Sequence, residues 1–372
     1  MFVPSVTHPI GDFVRDWVPK LTAYLPDALH NATLDSVTAF LVNALICVVA
    51  VCAVNIGSAP ILIYMERKVC AHVQCRLGPM RLGWHGTLQT IADVIKMLFK
   101  EVYSPSGADK LMFYVAPLIV LIAPFIVCAL IPFDKNLVVA DIDMGIPMII
   151  AVNGFGVLGI LLGGWSSNNK YSLLGALRSG AQMISYEISF AMILLFVVMV
   201  SGSTNLMDIT MSQSGTVFDW FIFKIPVIGF IAFILFFISS TAEMNRAPFD
   251  IAEAEQELTG GYHTEYNGTP FAMFYLAEYI ALVTNSALAA TCFLGGFHAP
   301  CIGIEFIDNY LQMIPGFVWF FAKIYFMIWC YMMVRWTFVR PRVDQLMAFE
   351  WKFLLPVNLV LLAAGAVYMI LV

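Results

Sequence analysis

Charge is what this chain has least of. Only 12% of its 372 residues are Asp, Glu, Lys or Arg, about half the roughly 25% that a water-facing globular surface carries. That shortage excludes a soluble globular domain and a disordered chain alike. The 19 basic residues are scattered and the net charge is −6, so no basic domain exists to grip phosphates, and nucleic-acid binding is excluded. Cysteine is present but unpatterned. Cys47, Cys52, Cys70, Cys75, Cys128, Cys292, Cys301 and Cys330 form no C-x-x-C pair and no zinc or iron–sulfur spacing. Most fall in apolar runs, where a thiol packs as a small hydrophobe, so no metal site and no disulfide framework is expected. Internal repeats and low-complexity stretches are also lacking. Residues 1–36 have no continuous apolar core, being broken by Asp12, Arg15, Asp16, Lys20, Asp27 and Asp35; a cleavable signal peptide is not expected there.

What is present in excess is apolar sequence, 60% of the chain. A membrane-crossing helix takes about 20 largely apolar residues. Eight segments read that way: 37–65, 111–133, 144–165, 181–200, 225–242, 270–297, 314–334 and 353–372. Their only charged side chains are Glu187, Glu278 and Lys323. Helices are the reasonable way for such segments to satisfy their backbone in lipid. The expectation is therefore an all-α polytopic membrane protein, with residues 37–372 forming one transmembrane domain behind an outer segment, 1–36. The first span should tilt or kink near Pro60.

The loops after odd-numbered spans carry Arg67, Lys68, Arg76, Arg81, Lys96, Lys100, Lys110, Lys170, Arg178, Arg246, Arg335, Arg340, Arg342 and Lys352. The other side carries Arg15, Lys20, Lys135 and Lys224. The positive-inside rule puts the first group in the cytoplasm or mitochondrial matrix, with both termini outside. The long polar loops 66–110 and 243–269 fall on that inner face, where function is expected.

Several patterns have plain explanations. Gly154-Phe-Gly156-Val-Leu-Gly159 imitates a dinucleotide fingerprint, but it lies inside a span with no strand before it; close helix packing, helped by Gly159 and Gly163, explains it better. The sequons at Asn31 and Asn267 are chance matches. His72 and His85 have no partners at metal spacing and read as surface residues. Within 88–99, Leu88, Ile91, Ala92, Ile95, Leu98 and Phe99 recur at helical spacing, with Asp93, Lys96 and Lys100 on the other face. That is an amphipathic helix lying along the membrane surface.

The ionisable residues within spans carry more information, because a charge at the bilayer centre is costly and usually faces a hydrated cavity. Glu187 sits one turn into the fourth span. Glu278 shares a face with Asn285, seven residues on. Glu243 ends the fifth span beyond Ser239 and Ser240, and Lys323 lies among aromatics. Each alone could be a structural polar group bonded to a neighbouring helix; three carboxylates on inner half-helices favour a proton path. Segment 243–266 then adds Asp250, Glu253, Glu255, Glu257 and Glu265 against one base, Arg246. Carboxylates so crowded titrate as a coupled set.

At this segment the chain resembles a known family. Glu243-x-Asn245-Arg246-x-Pro248-Phe249-Asp250-x-x-Glu253-x-Glu255-x-Glu257-Leu258 is similar to the signature of the membrane subunit of respiratory complex I called NuoH in bacteria and NADH dehydrogenase subunit 1 in mitochondria. Glu66-Arg67, Gln74-x-Arg76-x-Gly78-Pro79, Leu88-Gln89-x-x-Ala92-Asp93-x-x-Lys96, Lys170-Tyr171 through Tyr186-Glu187, Leu276-Ala277-Glu278-Tyr279 and Arg340-x-Arg342-x-Asp344-Gln345-Leu346 with Trp351-Lys352 extend the match over about residues 40–360. Thr259 and His263 depart from the usual aliphatic and amide residues, and the first 35 residues have no clear counterpart.

The resemblance implies a subunit of NADH:quinone oxidoreductase in the bacterial cytoplasmic or mitochondrial inner membrane, lying between the hydrophilic arm and neighbouring membrane-arm subunits. It implies ubiquinone or menaquinone as substrate, and no flavin, iron–sulfur cluster or metal on this chain. By position, Glu66, Arg67, Phe249, Asp250, Glu253, Glu255 and Glu257 would line the quinone cavity and its portal, framed by helix 88–99 and the first and sixth spans. Glu187, Glu243 and Glu278 would be the proton-path carboxylates. Two other classes are the membrane anchor of a hydrogenase-type complex and a stand-alone proton-coupled transporter. The quinone-side blocks disfavour the first, and the absence of repeats or a broken-helix pair disfavours the second.

Overall fold

A computed structural model describes residues 32–135, 137–251, 260–303 and 305–371. Most of the expected outer segment, and Glu253, Glu255 and Glu257, lie outside the described residues. Among those described, the chain is helical with no β-strand; the bridges Asp134–Leu137 and Thr216–Cys301 are isolated. The first helix, α1 (Ala32–Val73), runs unbroken through Pro60. The amphipathic α2 (Gln89–Phe99) follows, then α3 (Lys110–Leu130), α4 (Gly145–Ser166) and α5 (Lys170–Ser201). Short α6 (Leu206–Met211) and α7 (Phe221–Lys224) lead into α8 (Ile228–Glu243). The chain closes with α9 (Gly268–Phe293), α10 (Glu305–Gln312), α11 (Gly316–Thr337), α12 (Val343–Phe349) and α13 (Leu355–Leu371).

Among the described residues, seven helical stretches are long and apolar enough to cross a bilayer, and they match seven of the eight expected spans. The eighth is α8, apolar but only 16 residues long, about 24 Å at 1.5 Å per residue against a hydrocarbon core of about 30 Å. Its apolar run is extended at the front by the separate turn α7, because Val227 takes a left-handed φ of 71° after Pro226 and divides the two.

The largest shift from expectation is α5, which begins at Lys170 rather than 181. Asn169 caps it, its side chain accepting from Tyr171 N–H at 3.0 Å, and Ser172, Gly175, Ser179 and Gln182 form a buried small and polar face. Glu187 therefore lies between four and five turns in, at about 3.6 residues per turn, and not one turn from the end.

Helix α9 is the hub, buried among α1, α3, α8 and α11, while α5 packs on α4, α8 and α13. Phe190, Phe236 and Phe293, from α5, α8 and α9, pack ring to ring at 5.3 and 5.4 Å at the centre. Glycines let helices approach: a Cβ on Gly159 would stand 2.5 Å from Val120 Cγ2 of α3, and one on Gly164 would stand 2.2 Å from Ala176 Cβ of α5. The false dinucleotide pattern is thus a packing surface. At one end of the bundle Arg67 meets Asp93, Tyr103 N–H donates to Asn267, Asn169 donates to Glu265 and Arg340 meets Asp250. The loops expected on the inner face converge there.

Candidate functional site

At this end the chain leaves α8 through Asn245, whose φ of 51° is a left-handed conformation that asparagine tolerates. Gln182 of α5 pins the turn, donating to Ala242 O at 2.8 Å and Phe249 O at 2.7 Å. The turn sends Arg246 back under the bundle, where it is buried. Its Nη1 lies 3.3 Å from Glu66 Oε2 and its Nε lies 2.9 Å from Glu278 Oε1. The guanidinium sits 4.5 Å from the centre of the Tyr279 ring. Glu66 also accepts from Arg335 Nη1 at 2.5 Å and from Tyr279 OH at 2.7 Å. Burial opposes the charge on Arg246, but Glu278 and Glu66 outweigh it and raise its pKa further above the ordinary arginine value. Two carboxylates and two guanidiniums thus neutralise one another in a site that would otherwise be prohibitive for any of them.

Two cavities flank this ion network. One, of about 270 Å³, is lined by Ile63, Glu66, Arg67, Cys70, Arg76, Gly78, Pro79, Tyr275, Tyr279 and Trp336. Its floor is ionic and its walls are apolar and aromatic, as suits a polar head on a greasy tail. The other, of about 90 Å³, is lined by Asn153, Glu243, Asn245, Glu278 and Asn285 among apolar side chains. At roughly 10–15 Å³ for each water it has room for several. Arg246, Glu278 and Tyr279 stand between the two.

In the smaller cavity Glu243 accepts from Asn153 Nδ2 at 2.6 Å, while its Oε2 has no partner. Glu187 reaches toward α4, where its Oε1 would lie 3.2 Å from a Cβ on Gly154. Its charge acts on Glu243. Glu187, Glu243 and Glu278 are thus gathered around one region, and Glu66 is joined to them through Arg246.

The remaining expected site residues are placed differently. Arg67 pairs with Asp93 of α2 at 2.6 Å, and Gln89 donates to the same carboxylate at 3.0 Å. Partial burial opposes ionisation of Asp93, but these two donors outweigh it and hold its pKa below the ordinary aspartate value. Asp250 is buried and pairs with Arg340 at 2.7 Å. Phe249 lines a separate apolar cavity with Pro248, Phe338, Val339, Pro341, Leu346 and Phe349. Arg67 lines the larger cavity with Glu66, and Phe249 lines this separate one. Leu98 and Phe99 of α2 are exposed to the surroundings, as an interfacial helix requires.

Sequence reasoning did not foresee the roles of Arg246, Arg335, Asn153 or Tyr279. The signal for Arg246 was its standing as the only base among the carboxylates of 243–266. Among the described residues no three His, Cys, Asp or Glu side chains come together as a metal site would need.

Comparison with known proteins agrees with the motifs. The family described as NADH dehydrogenase matches residues 45–366. The NADH-quinone oxidoreductase H-subunit of Phocaeicola vulgatus is 45% identical over 93% of this chain and 94% of its own length. That of Bacteroides thetaiotaomicron is 48% identical over 85% and 87%. One such H-subunit of Geobacter sulfurreducens is 47% identical over 80% and 86%. The chain belongs to the NuoH family, the H-subunit membrane proteins of NADH-quinone oxidoreductase, the respiratory complex I.

Proposed function

We propose that this chain forms part of the quinone cavity and portal of complex I and couples quinone reduction to proton translocation through its buried carboxylates. The observation that carries the reading is Arg246, held between Glu66 on the larger cavity and Glu278 on the smaller one. A quinone in the larger cavity would enter past α2, α1 and α9, with its headgroup reduced by redox centres in other subunits. Any gain or loss of negative charge beside Glu66 changes how strongly Arg246 is drawn to that side. Glu278 then feels a weaker or stronger cation, and its proton affinity follows. Glu243 lines the same small cavity as Glu278, Glu187 acts on Glu243 from α5, and these two pass the proton on. Glu253, Glu255 and Glu257 extend this coupled set on the quinone side.

In this reading the end carrying Arg67, Arg246 and Arg340 faces the bacterial cytoplasm or mitochondrial matrix, against the quinone-reducing hydrophilic arm. The flanks of the bundle meet neighbouring membrane-arm subunits and lipid. Residues 37–372 act as one transmembrane unit, and 1–36 lie on the outer side.

Glutamine keeps the shape of glutamate and removes the titrating group. In the assembled complex, Glu187→Gln and Glu278→Gln are expected to lower quinone-linked turnover and proton pumping together. NADH oxidation by an artificial acceptor, which takes its electrons before the quinone, should survive in both. Wild-type pumping rate and stoichiometry in both variants would overturn the coupling role.

A further inference from the structure

Glu350 belongs to neither cavity and to no ion pair described above, yet it is fully enclosed. Its placement begins with Pro356. Proline has no N–H to donate, and its ring crowds the carbonyl four residues back. The helical stretch Val343–Leu371 widens just before it into a single π turn, Glu350–Leu354, with Leu355 N–H donating to Glu350 O. One-turn π bulges inside α-helices occur frequently at functional sites. Here the wider turn presents Glu350 to α5.

On α5 the Ser189 hydroxyl donates to Glu350 Oε1, and Oε2 has no hydrogen-bond partner among the described residues. The elements packed on this turn are α5, α12 and α13. From α5, the Tyr186 hydroxyl is committed to Leu346 O at 3.2 Å. The charged neighbours on its own helix, Asp344 and Lys352, are exposed, and α13 contributes no charged residue. Among the described residues, Glu350 is therefore enclosed with a hydroxyl and no ion-pair partner. Buried polar atoms in native proteins are nearly all satisfied, so an orphaned acid oxygen calls for an explanation.

The face of α5 that meets Glu350 is polar along its length. Gln182, Ser185, Tyr186 and Ser189 recur at helical spacing. At its far end Gln182 holds the turn that carries Arg246, and its own Oε1 is likewise unpartnered. Glu187 lies about 200° around the helix from Ser189, at 100° per residue, and points to α4 instead.

We propose that Glu350 is a further proton-binding carboxylate of this chain, on the face of α5 turned away from Glu187, exchanging its proton with water along the row Ser189, Ser185 and Gln182. The acid gives its proton to water and leaves a carboxylate held by the Ser189 hydroxyl; uptake reverses the step. This rests on the coupling reading above.

The test is an infrared difference spectrum of the assembled complex in membranes, taken on adding NADH and a short-chain quinone. The wild type is expected to show changes in the carbonyl band of protonated carboxyl groups. Glu350→Gln should lose one component, and Ser189→Ala should shift that component without abolishing it. The pH profile of pumping should also change in Glu350→Gln. A wild type with no carboxyl change overturns both this inference and the coupling reading. A wild type that changes while Glu350→Gln keeps every component overturns this inference alone. Should Glu350→Gln fail to assemble, an unshifted band in Ser189→Ala overturns it.

Discussion

Arg246 holds two carboxylates from two different helices and sits over the Tyr279 ring. Replacing it with Met leaves the buried Glu66 and the half-buried Glu278 with less positive charge than they need. Breaking a buried pair costs about 3–5 kcal/mol, so the Arg246→Met complex is expected to unfold at lower temperature and assemble poorly. Lysine should rescue only in part, because a point ammonium cannot present Nε and Nη to separate carboxylates. Asp93 makes a pH prediction. Its carboxyl ionises at lower pH in the folded chain than it would unfolded, so the ionised form stabilises the α1–α2 tie. That contribution is complete above the ordinary aspartate range and is lost as pH falls through the depressed folded value. Amide exchange in residues 89–99 should accelerate over that acid window in the wild type, and Asp93→Asn should remove the pH dependence. Lys323 is a third case. Its ammonium is spent on the carbonyls of Leu294, Gly296 and His298, at 2.6 to 2.9 Å, just past the end of α9. The Trp220 ring lies 4.2 Å away. This membrane lysine fastens α11 to α9.

At the scale of elements, the helices that carry the site are placed by glycines. Gly164 admits Ser172 and Ala176 of α5, and Gly175 of α5 admits the backbone at Gly261, whose Cα would lie 2.8 Å from an added Cβ. Gly164→Ala forces backbone apart, and overpacking of this kind costs about 1–3 kcal/mol. Less of that variant should reach the assembled complex in a native gel. Gly57 of α1 has nothing within 4 Å of a Cβ, and Gly57→Ala should assemble as the wild type does. Equal assembly of the two variants would refute the packing account. The segment 260–267 docks in the same close manner. Ser172 donates to Tyr262 O at 3.2 Å, Tyr266 donates to Phe113 O at 3.1 Å, and the Phe113 and Tyr266 rings stack at 4.1 Å. Residues 260–267 are thereby tied to α3, α4 and α5.

For the whole molecule, the orientation proposal is open to labelling. Cysteines placed at Lys100 and Lys135, in a complex kept in sealed vesicles, should react from opposite sides; reaction of both from one side would refute the assignment. The seven long spans and the amphipathic α2 were legible in the chain itself, because hydrophobic run length and periodicity are local properties that lipid selects directly. The motif blocks likewise identified the family, since ionisable residues within spans stand out against an apolar background. Two features lay beyond that kind of reading. The start of α5 was hidden because a hydropathy run stops at Lys170 and Arg178 while backbone hydrogen bonding does not. Glu350 was hidden for the converse reason: it stands beside Trp351 and Lys352 and reads as loop, yet a π turn draws it inside. The sequence by itself determined that this chain crosses a membrane, which residues are charged within it, and which family it resembles. Only the tertiary structure decided which charges meet. Glu66, Arg246, Glu278 and Arg335 come from three helices and a loop, as far as 269 residues apart in sequence, and their pairing depends on how α1, α9 and α11 pack rather than on any local pattern.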